Sequence, residues 1–183
     1  MLKRNAENVI ELTAPFSEAE ARELRAGDRI RLSGIVYTGR DAAHKRLVAL
    51  LDAGQKLPAD LHDQLIYFAG PCPAPPGKPI GSAGPTTSGR MDAYSPRLIK
   101  TCGLRGMIGK GNRSQDVIDA MCETGSVYFA ATGGAGALIA RCITRCEVIA
   151  FEDLGPEAMY RLEVKDWPLI VAIDANGGNL YKH

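Results

Sequence analysis

Long apolar runs are missing from this 183-residue chain. None approaches the roughly 20 residues that a membrane-spanning helix needs. The opening MLKRNAENVIEL carries two basic residues and no apolar stretch behind them. A secretory leader is therefore not expected, and a cytoplasmic protein is. Charge of one sign is missing as well: 22 Lys and Arg against 21 Asp and Glu leave a net +1. No whole-chain field points to nucleic acid or an anionic membrane as a partner. Internal repeats and low-complexity tracts are absent. Metal-ligand patterns are absent too. The five cysteines, Cys72, Cys102, Cys122, Cys142 and Cys146, are an odd number in a chain without a leader, which argues for reduced thiols. Only Cys142 and Cys146 stand at helical spacing, and two thiols complete neither a zinc nor an iron–sulfur site. They read as small buried apolar side chains. His44, His62 and His183 form no paired ligand motif.

What is there is ordinary for a globular chain: 45% apolar and 23% charged residues, in a length that suits one compact domain over 1–183. NVIEL reads as a strand. SEAEARELRAGD follows as a helix, with Ser17 and Glu20 as a capping box and Gly27 at its end. Alternation predicts a strand from Ile30 to Tyr37. RDAAHKRLVALLDAG is helical, with Ala43, Leu47, Leu50 and Leu51 on one face and Gly54 after it. QLIYFAG is a short buried strand. PCPAPPGKP, residues 71–79, holds five prolines in nine residues and must be a loop. Beyond it come a helix in SGRMDAYSPRLIKTCG, broken or bent near Ser95-Pro96, then LRGMIG (strand), SQDVIDAMCETG (helix), VYFAAT (strand), GALIARCI (helix) and EVIAFE (strand). PLIVAI, residues 168–173, with NGGNLYK, closes the chain as strand and turn. Strands alternating with helices imply α/β architecture with a mixed, partly parallel sheet.

The glycine-rich pieces fail the phosphate-binding motifs. In GMIGKGNRS the P-loop positions for glycine and hydroxyl hold Leu104 and Gly111. In GGAGALI, residues 133–139, Ile139 stands where a dinucleotide fingerprint needs its third glycine. No Gly-x-Ser-x-Gly nucleophile elbow is present. The charge pattern says more. Between Gly84 and Arg113 the cations are Arg90, Arg97, Lys100, Arg105, Lys110 and Arg113, against one acid, Asp92. Arg97 and Lys100 suit a solvated helix face. Arg90 and Lys110 stand beside glycines at strand–helix junctions, and Arg40 does the same in YTGRDAAHK. Such rims gather donors around anions. Two arginines and a lysine there could clamp both ends of a small dicarboxylate. Plain structural salt bridges are the alternative.

TGRDAAHKRL, GPTTSGRMD and GKGNRS occur in this order, with GGAGAL, EDLGPEAMYRLEVKDWPLIV and IDANGGNLY after them. Together they resemble the C-terminal catalytic domain of class I fumarate hydratase and its relative, the β subunit of tartrate dehydratase, from about Phe16 to Tyr181. GPTTSGRMD is the most specific of these segments. The resemblance implies a swivelling β/β/α domain and reversible hydration of a dicarboxylate double bond. It also implies a 4Fe–4S cluster whose open iron is a Lewis acid. The family's cluster cysteines lie in a separate, larger domain. The expectation is thus a β subunit whose chain starts at Met1, just before the C-terminal catalytic domain should begin. It would pair with a cluster-binding α subunit in a hetero-oligomer holding more than one copy of each, with no metal ligand in this chain.

Carried over residue by residue, Thr86 corresponds to the family's catalytic base. Arg40, Arg90 and Lys110 match its carboxylate-binding and charge-stabilising residues. Asp41, His44, Thr87 and Asn112 would support them, although His44 could instead be a helix-surface histidine and both threonines could be helix caps. The expected reaction is fumarate plus water to (S)-malate. Tartrate dehydration to oxaloacetate is the nearest alternative, and a non-catalytic module that binds dicarboxylates is another.

Overall fold

The computed structural model describes residues 1–131 and 136–182. Thr132, the start of the 133–139 glycine stretch and His183 lie outside them. Seven strands and five helices are described: β1 (Val9–Ala14), α1 (Glu18–Glu23), β2 (Arg29–Thr38), α2 (Asp41–Asp52), β3 (Leu65–Tyr67), α3 (Ser95–Cys102), β4 (Gly106–Gly109), α4 (Gln115–Thr124), β5 (Val127–Ala130), α5 (Gly136–Arg141), β6 (Ile143–Ala150) and β7 (Met159–Ile173). Two 3₁₀ turns, Ser88–Met91 and Glu152–Glu157, interrupt the loops. The class is mixed α/β. β1 through β5 pair in parallel as neighbours, and β7 runs antiparallel to β5, β6 and β2. The β7–β2 pairing closes β2, β3, β4, β5 and β7 into a ring. Parallel neighbours need crossovers, and α2, α3 and α4 supply them.

Alternation along the strands separates two cores. Leu65, Tyr67, Ile108, Val127 and Phe129 point into the ring, where Trp167 packs edge-on against Tyr67 at 4.7 Å between centroids. Ile66, Met107 and Tyr128 point the other way and meet Leu47 of α2, Leu98 and Ile99 of α3, and Val117 and Met121 of α4. All three β3 residues are therefore buried, as a strand covered on both faces should be. Each large apolar side chain buried this way contributes about 1.5–3 kcal/mol. No helix among the described residues is long and apolar enough to cross a membrane.

Several boundaries differ from the sequence reading. The capping box of α1 forms as expected, with Ser17 and Glu20 bonding each other's backbone. The helix nonetheless stops at Glu23, not at Gly27, because Leu24 turns to extended backbone and is fully buried. Gly27 instead donates its N–H to Val171 O at 2.8 Å. β6 begins at Ile143, so Cys142 and Cys146 do not share a helix. β7 is 15 residues long, more than twice the expected PLIVAI, and the EVIAFE stretch ends in a 3₁₀ turn. None of the five cysteines is fully buried, and Cys72 is exposed.

Candidate functional site

β2, β3 and β4 lie side by side and parallel, so their C-terminal ends share one rim. In parallel sheets ligands bind beyond those ends, where loops and helix N-termini face the same space. Arg40 follows β2 and occupies the N-cap of α2. Phe68 and Gly70 follow β3, and Phe68 O accepts the Thr86 N–H at 2.7 Å. Lys110 follows β4 and forms an isolated parallel bridge with Thr87, while its O accepts the Ser88 N–H at 2.9 Å. The GPTTSGR segment is thus laid across the ends of β3 and β4, and Arg90 ends it on a 3₁₀ turn.

Two glycines make that approach possible. A Cβ on Gly109 would collide with Ser88 Oγ and come within 2.9 Å of Phe68 Cδ2. A Cβ on Gly70 would sit 3.0 Å from Arg40 Cδ and 3.1 Å from Pro156 O. The first lets the threonine segment touch β4; the second leaves room for the Arg40 stem.

Arg90 donates from Nε and Nη2 to Asp41 Oδ2 at 3.0 and 2.6 Å. Arg40 Nε stands 3.8 Å from Glu157 Oε1. Lys110 is exposed and forms no ion pair among the described residues. Thr86 is half-buried; Thr87, Arg90 and Asn112 are exposed. Thr87 stands at the head of the 3₁₀ turn but makes no capping bond with its side chain. Capping therefore does not account for it. Asn112 Oδ1 accepts the Arg113 N–H at 2.8 Å. His44 is not on a helix surface: it is fully buried, edge-on to Phe68 at 5.4 Å and near Tyr94 at 6.1 Å. Its Nδ1 lies 2.8 Å from Arg40 O. A carbonyl only accepts, so Nδ1 carries the proton and Nε2 is a bare acceptor. Burial, with Arg113 nearby, pulls the imidazole down to about 4, so it is neutral at pH 7.

Four buried side-chain polar atoms have no hydrogen-bond partner among the described residues: Arg40 Nε, Asp41 Oδ1, His44 Nε2 and Asn179 Nδ2. Three of the four belong to the first turn of α2. An orphaned buried polar group costs about 1–3 kcal/mol. Three on one turn, at the rim where Arg90 arrives, single out this turn as the candidate site.

The remaining cations divide cleanly. Arg97 and Lys100 lie on the exposed face of α3, pairing Asp52 at 2.9 Å and Glu123 at 3.4 Å. Arg105 is buried and holds Asp63 Oδ1 and the carbonyls of Thr124 and Gly125. Arg113 has no exposed side-chain surface. Its Nε donates to Asp92 Oδ1 at 2.7 Å, Nη2 to Ser95 Oγ at 2.7 Å and Nη1 to Met107 Sδ at 3.2 Å. Its guanidinium lies 5.1 Å from the ring centroids of both Phe68 and Tyr128. Sequence reasoning counted Arg113 only as one more cation. The signal available was Asp92, the single acid in a basic stretch.

The described residues contain no group of three or more His, Cys, Asp and Glu side chains that could hold a metal ion. Burial raises the thiols of Cys102, Cys122, Cys142 and Cys146, which disfavours the thiolate a metal needs. A 4Fe–4S cluster does not fit these side chains.

A family model described as the fumarase C-terminus matches residues 2–183. The class I, anaerobic fumarate hydratase of Escherichia coli is 40% identical over 176 residues, which cover 94% of this chain and 32% of that protein. A putative class I fumarate hydratase of Geobacillus stearothermophilus is 40% identical over 178 residues, 95% of this chain and 34% of that one. The chain thus spans about a third of the length of these relatives. It matches far more of a putative L(+)-tartrate dehydratase subunit beta from Methanocaldococcus jannaschii: 37% identity, 91% of this chain and 88% of that subunit.

Proposed function

The chain belongs to the fumarase C-terminus family, and from that premise we propose that it is the β subunit of a two-subunit iron–sulfur hydro-lyase that interconverts fumarate and (S)-malate. The observation that carries the reading is the rim itself. Three cations and three orphaned buried polar atoms gather beyond the ends of β2, β3 and β4. The rim is open, with Arg90 and Lys110 exposed, and a small dicarboxylate there needs a cover that excludes water. An α subunit would supply that cover and hold the 4Fe–4S cluster. More than one copy of each chain, a cytoplasmic setting and a swivelling β/β/α architecture for residues 1–183 complete the proposal.

Within this chain the work is binding and proton transfer. Arg40 and Arg90 grip substrate carboxylate, since a guanidinium offers two parallel donors. In the malate-to-fumarate direction Thr86 takes the proton from C3, next to a carboxylate. The electron pair left behind spreads onto that carboxylate, where Lys110 and Arg90 meet the growing charge. It then becomes the second C2–C3 bond as the C2–O bond breaks and the hydroxyl leaves as hydroxide, a departure that the Lewis-acid chemistry of the partner-held cluster would assist. In the reverse direction hydroxide adds to C2 and Thr86 returns the proton to C3. A threonine hydroxyl is a weak base, and the same two cations favour its alkoxide. Asp41, already paired with Arg90, fixes that guanidinium; His44 fixes the Arg40 carbonyl; Thr87 and Asn112 shape the loops.

A second reading has one observation behind it: the chain matches 88% of the tartrate dehydratase β subunit, nearly a whole protein. The experiment is an anaerobic assay of the chain assembled with a cluster-binding α subunit, given fumarate, (S)-malate and L(+)-tartrate separately. Fumarate hydration with little tartrate turnover is expected. Tartrate turnover alone would transfer the site to the second reading. Dicarboxylate binding with no turnover of any substrate would leave a binding module.

A further inference from the structure

Arg90 and Lys110 come from different loops, and nothing in either loop alone sets the distance between them. Arg90 lies in the 3₁₀ turn Ser88–Met91, and Lys110 opens the turn after β4. Beside the Thr87–Lys110 bridge, a pair of a half-buried carboxylate and a buried guanidinium ties the two loops together. Asp92 is two residues beyond Arg90, and Arg113 is three beyond Lys110. Asp92 uses both oxygens on the second loop: Oδ1 accepts Arg113 Nε at 2.7 Å and Oδ2 accepts the Ser114 N–H at 2.7 Å. Arg113 in turn reaches back with Nη2 to Ser95 Oγ at 2.7 Å, and Ser95 Oγ donates to Met91 O at 3.0 Å. Its flat guanidinium sits between the rings of Phe68 and Tyr128, each centroid 5.1 Å away. Tyr128 OH closes the circuit by donating to Gly111 O at 2.7 Å and sharing a 2.7 Å hydrogen bond with Ser88 Oγ.

We infer that Asp92 and Arg113 are positioning residues for hydration and dehydration, a staple that fixes where Arg90 and Lys110 stand relative to each other and to Thr86. The inference rests on the hydro-lyase reading of the rim. A purely structural pair would not need this geometry. Isolated buried ion pairs tend to be replaceable by apolar residues without loss of stability, because desolvation cancels their attraction. This one is not isolated: Arg113 is hydrogen-bonded through Nε, Nη1 and Nη2, to Asp92 just beyond the Arg90 turn, to Met107 of β4 and to Ser95 at the start of α3. Phe68, one of the stacking rings, also supplies the carbonyl that holds the Thr86 N–H. Neither Asp92 nor Arg113 touches substrate on this view. They act through the backbone of the two loops.

The experiment separates folding from positioning. Removing Arg113 alone leaves the half-buried Asp92 carboxylate without its cation and opens a gap between Phe68 and Tyr128, which risks unfolding. Asp92→Asn with Arg113→Met removes both charges together, and Asn can still accept from Ser114 N. Arg113→Lys keeps the charge but loses the planar stack and the fork that spans Asp92 and Ser95. Both variants are assembled with the α subunit, and melting temperature, kcat and KM are measured beside the unmodified complex. The expected result is a melting temperature within a few degrees of the original for at least one variant, with kcat lowered on the order of 10²-fold, the size of effect that misplacing a catalytic group by about an ångström produces. A folded variant with unchanged kcat and KM overturns the staple. Activity that falls only in step with the folded fraction also overturns it, since that is what a structural role predicts. An unmodified complex that turns over no dicarboxylate overturns the reading of the rim, and the staple with it.

Discussion

Two residues at the rim make opposite demands on their surroundings, and each has its own test. On the proposed mechanism Thr86 changes its protonation during the reaction, so its hydroxyl has to face the ligand. Thr87 is tied into the bridge with Lys110, with its side chain free of any capping bond. Loss of a positioned proton-transfer group lowers turnover by roughly 10²–10⁴-fold. In the assembled enzyme Thr86→Ala is therefore expected to bind substrate, melt normally and scarcely exchange the C3 proton of malate with deuterated solvent. Thr87→Ala keeps exchange within a few-fold of the original, and equal losses in both would remove Thr86 from the proton step. His44 must not change its protonation. Burial is the largest cause of its fall from an ordinary 6.5 to about 4; the bond to the Arg40 carbonyl and the Asp41 charge oppose it, and Arg113 assists it. The unfolded chain takes up a proton at His44 below about 6.5, whereas the folded chain resists until about 4. Stability is thus fully present above 6.5 and drains away as pH falls towards 4, by about 3 kcal/mol from this group. Denaturant titrations across that window should show it. His44→Asn, which cannot titrate, lowers stability overall but flattens that part of the profile, and an unchanged slope would sink the assignment.

At the scale of elements, the parts that could be read from the sequence were those whose cause is local. The capping box of α1 and the break before Ser95-Pro96 depend on residues within one or two turns of each other and form where the pattern put them; the α2 face buries Ala43 and Leu47 as expected, but Leu50 and Leu51 stay half-buried and His44 joins the buried face. The long strand β7 depends on partners far away. Lys165 and Asp166 interrupt its apolar alternation, with Asp166 at a φ of 51° and Pro168 beyond, so MYRLEVKDWPLIVAI does not read as one strand. Pairing carries it through: the Lys165 N–H goes to Cys142 O at 2.8 Å and the Asp166 N–H to Ser33 Oγ at 3.0 Å. The same distinction holds at the site. Glycines flanking Arg40, Arg90 and Lys110 suggest strand–helix junctions; Arg40 and Lys110 do follow β2 and β4 directly, whereas Arg90 lies in the 3₁₀ turn Ser88–Met91 within the long β3–α3 loop, which crosses the ends of β3 and β4. That Arg113 would be buried while Arg90 stays exposed could not be read from spacing, because burial is decided by which side of the β4 loop meets Phe68 and Tyr128. His44 was ambiguous for a similar reason. A histidine four residues after Arg40 can face either way until the neighbours of α2 are known.

For the whole molecule, the decisive contrast is between a complete interior and an incomplete site. Strands β2, β3, β4, β5 and β7 form one ring of pairings, and each contributes to a core inside it, while a second core between ring and helices uses the alternate residues of the same strands. Neither core can be lost without exposing the other, which is the condition for a single cooperative transition in a chain of this size. The site has no such closure. Among the described residues Arg40 Nε, Asp41 Oδ1 and His44 Nε2 have no hydrogen-bond partner, and no cluster of side chains suits a metal. The two facts together predict how the isolated chain behaves. It should fold alone and unfold in one step, with coincident transitions in far-ultraviolet circular dichroism and tryptophan fluorescence, the latter reporting on Trp167 inside the ring. Treated anaerobically with iron and sulfide it should stay colourless and hydrate no fumarate. Added to a cluster-loaded α subunit, the same preparation should restore turnover without changing its own secondary structure. Separate transitions would show that the residues 1–183 are not one cooperative unit. A stoichiometric cluster with hydratase activity in the lone chain would overturn the division of the site between two subunits, since the ligands and the cover would then have to come from this chain.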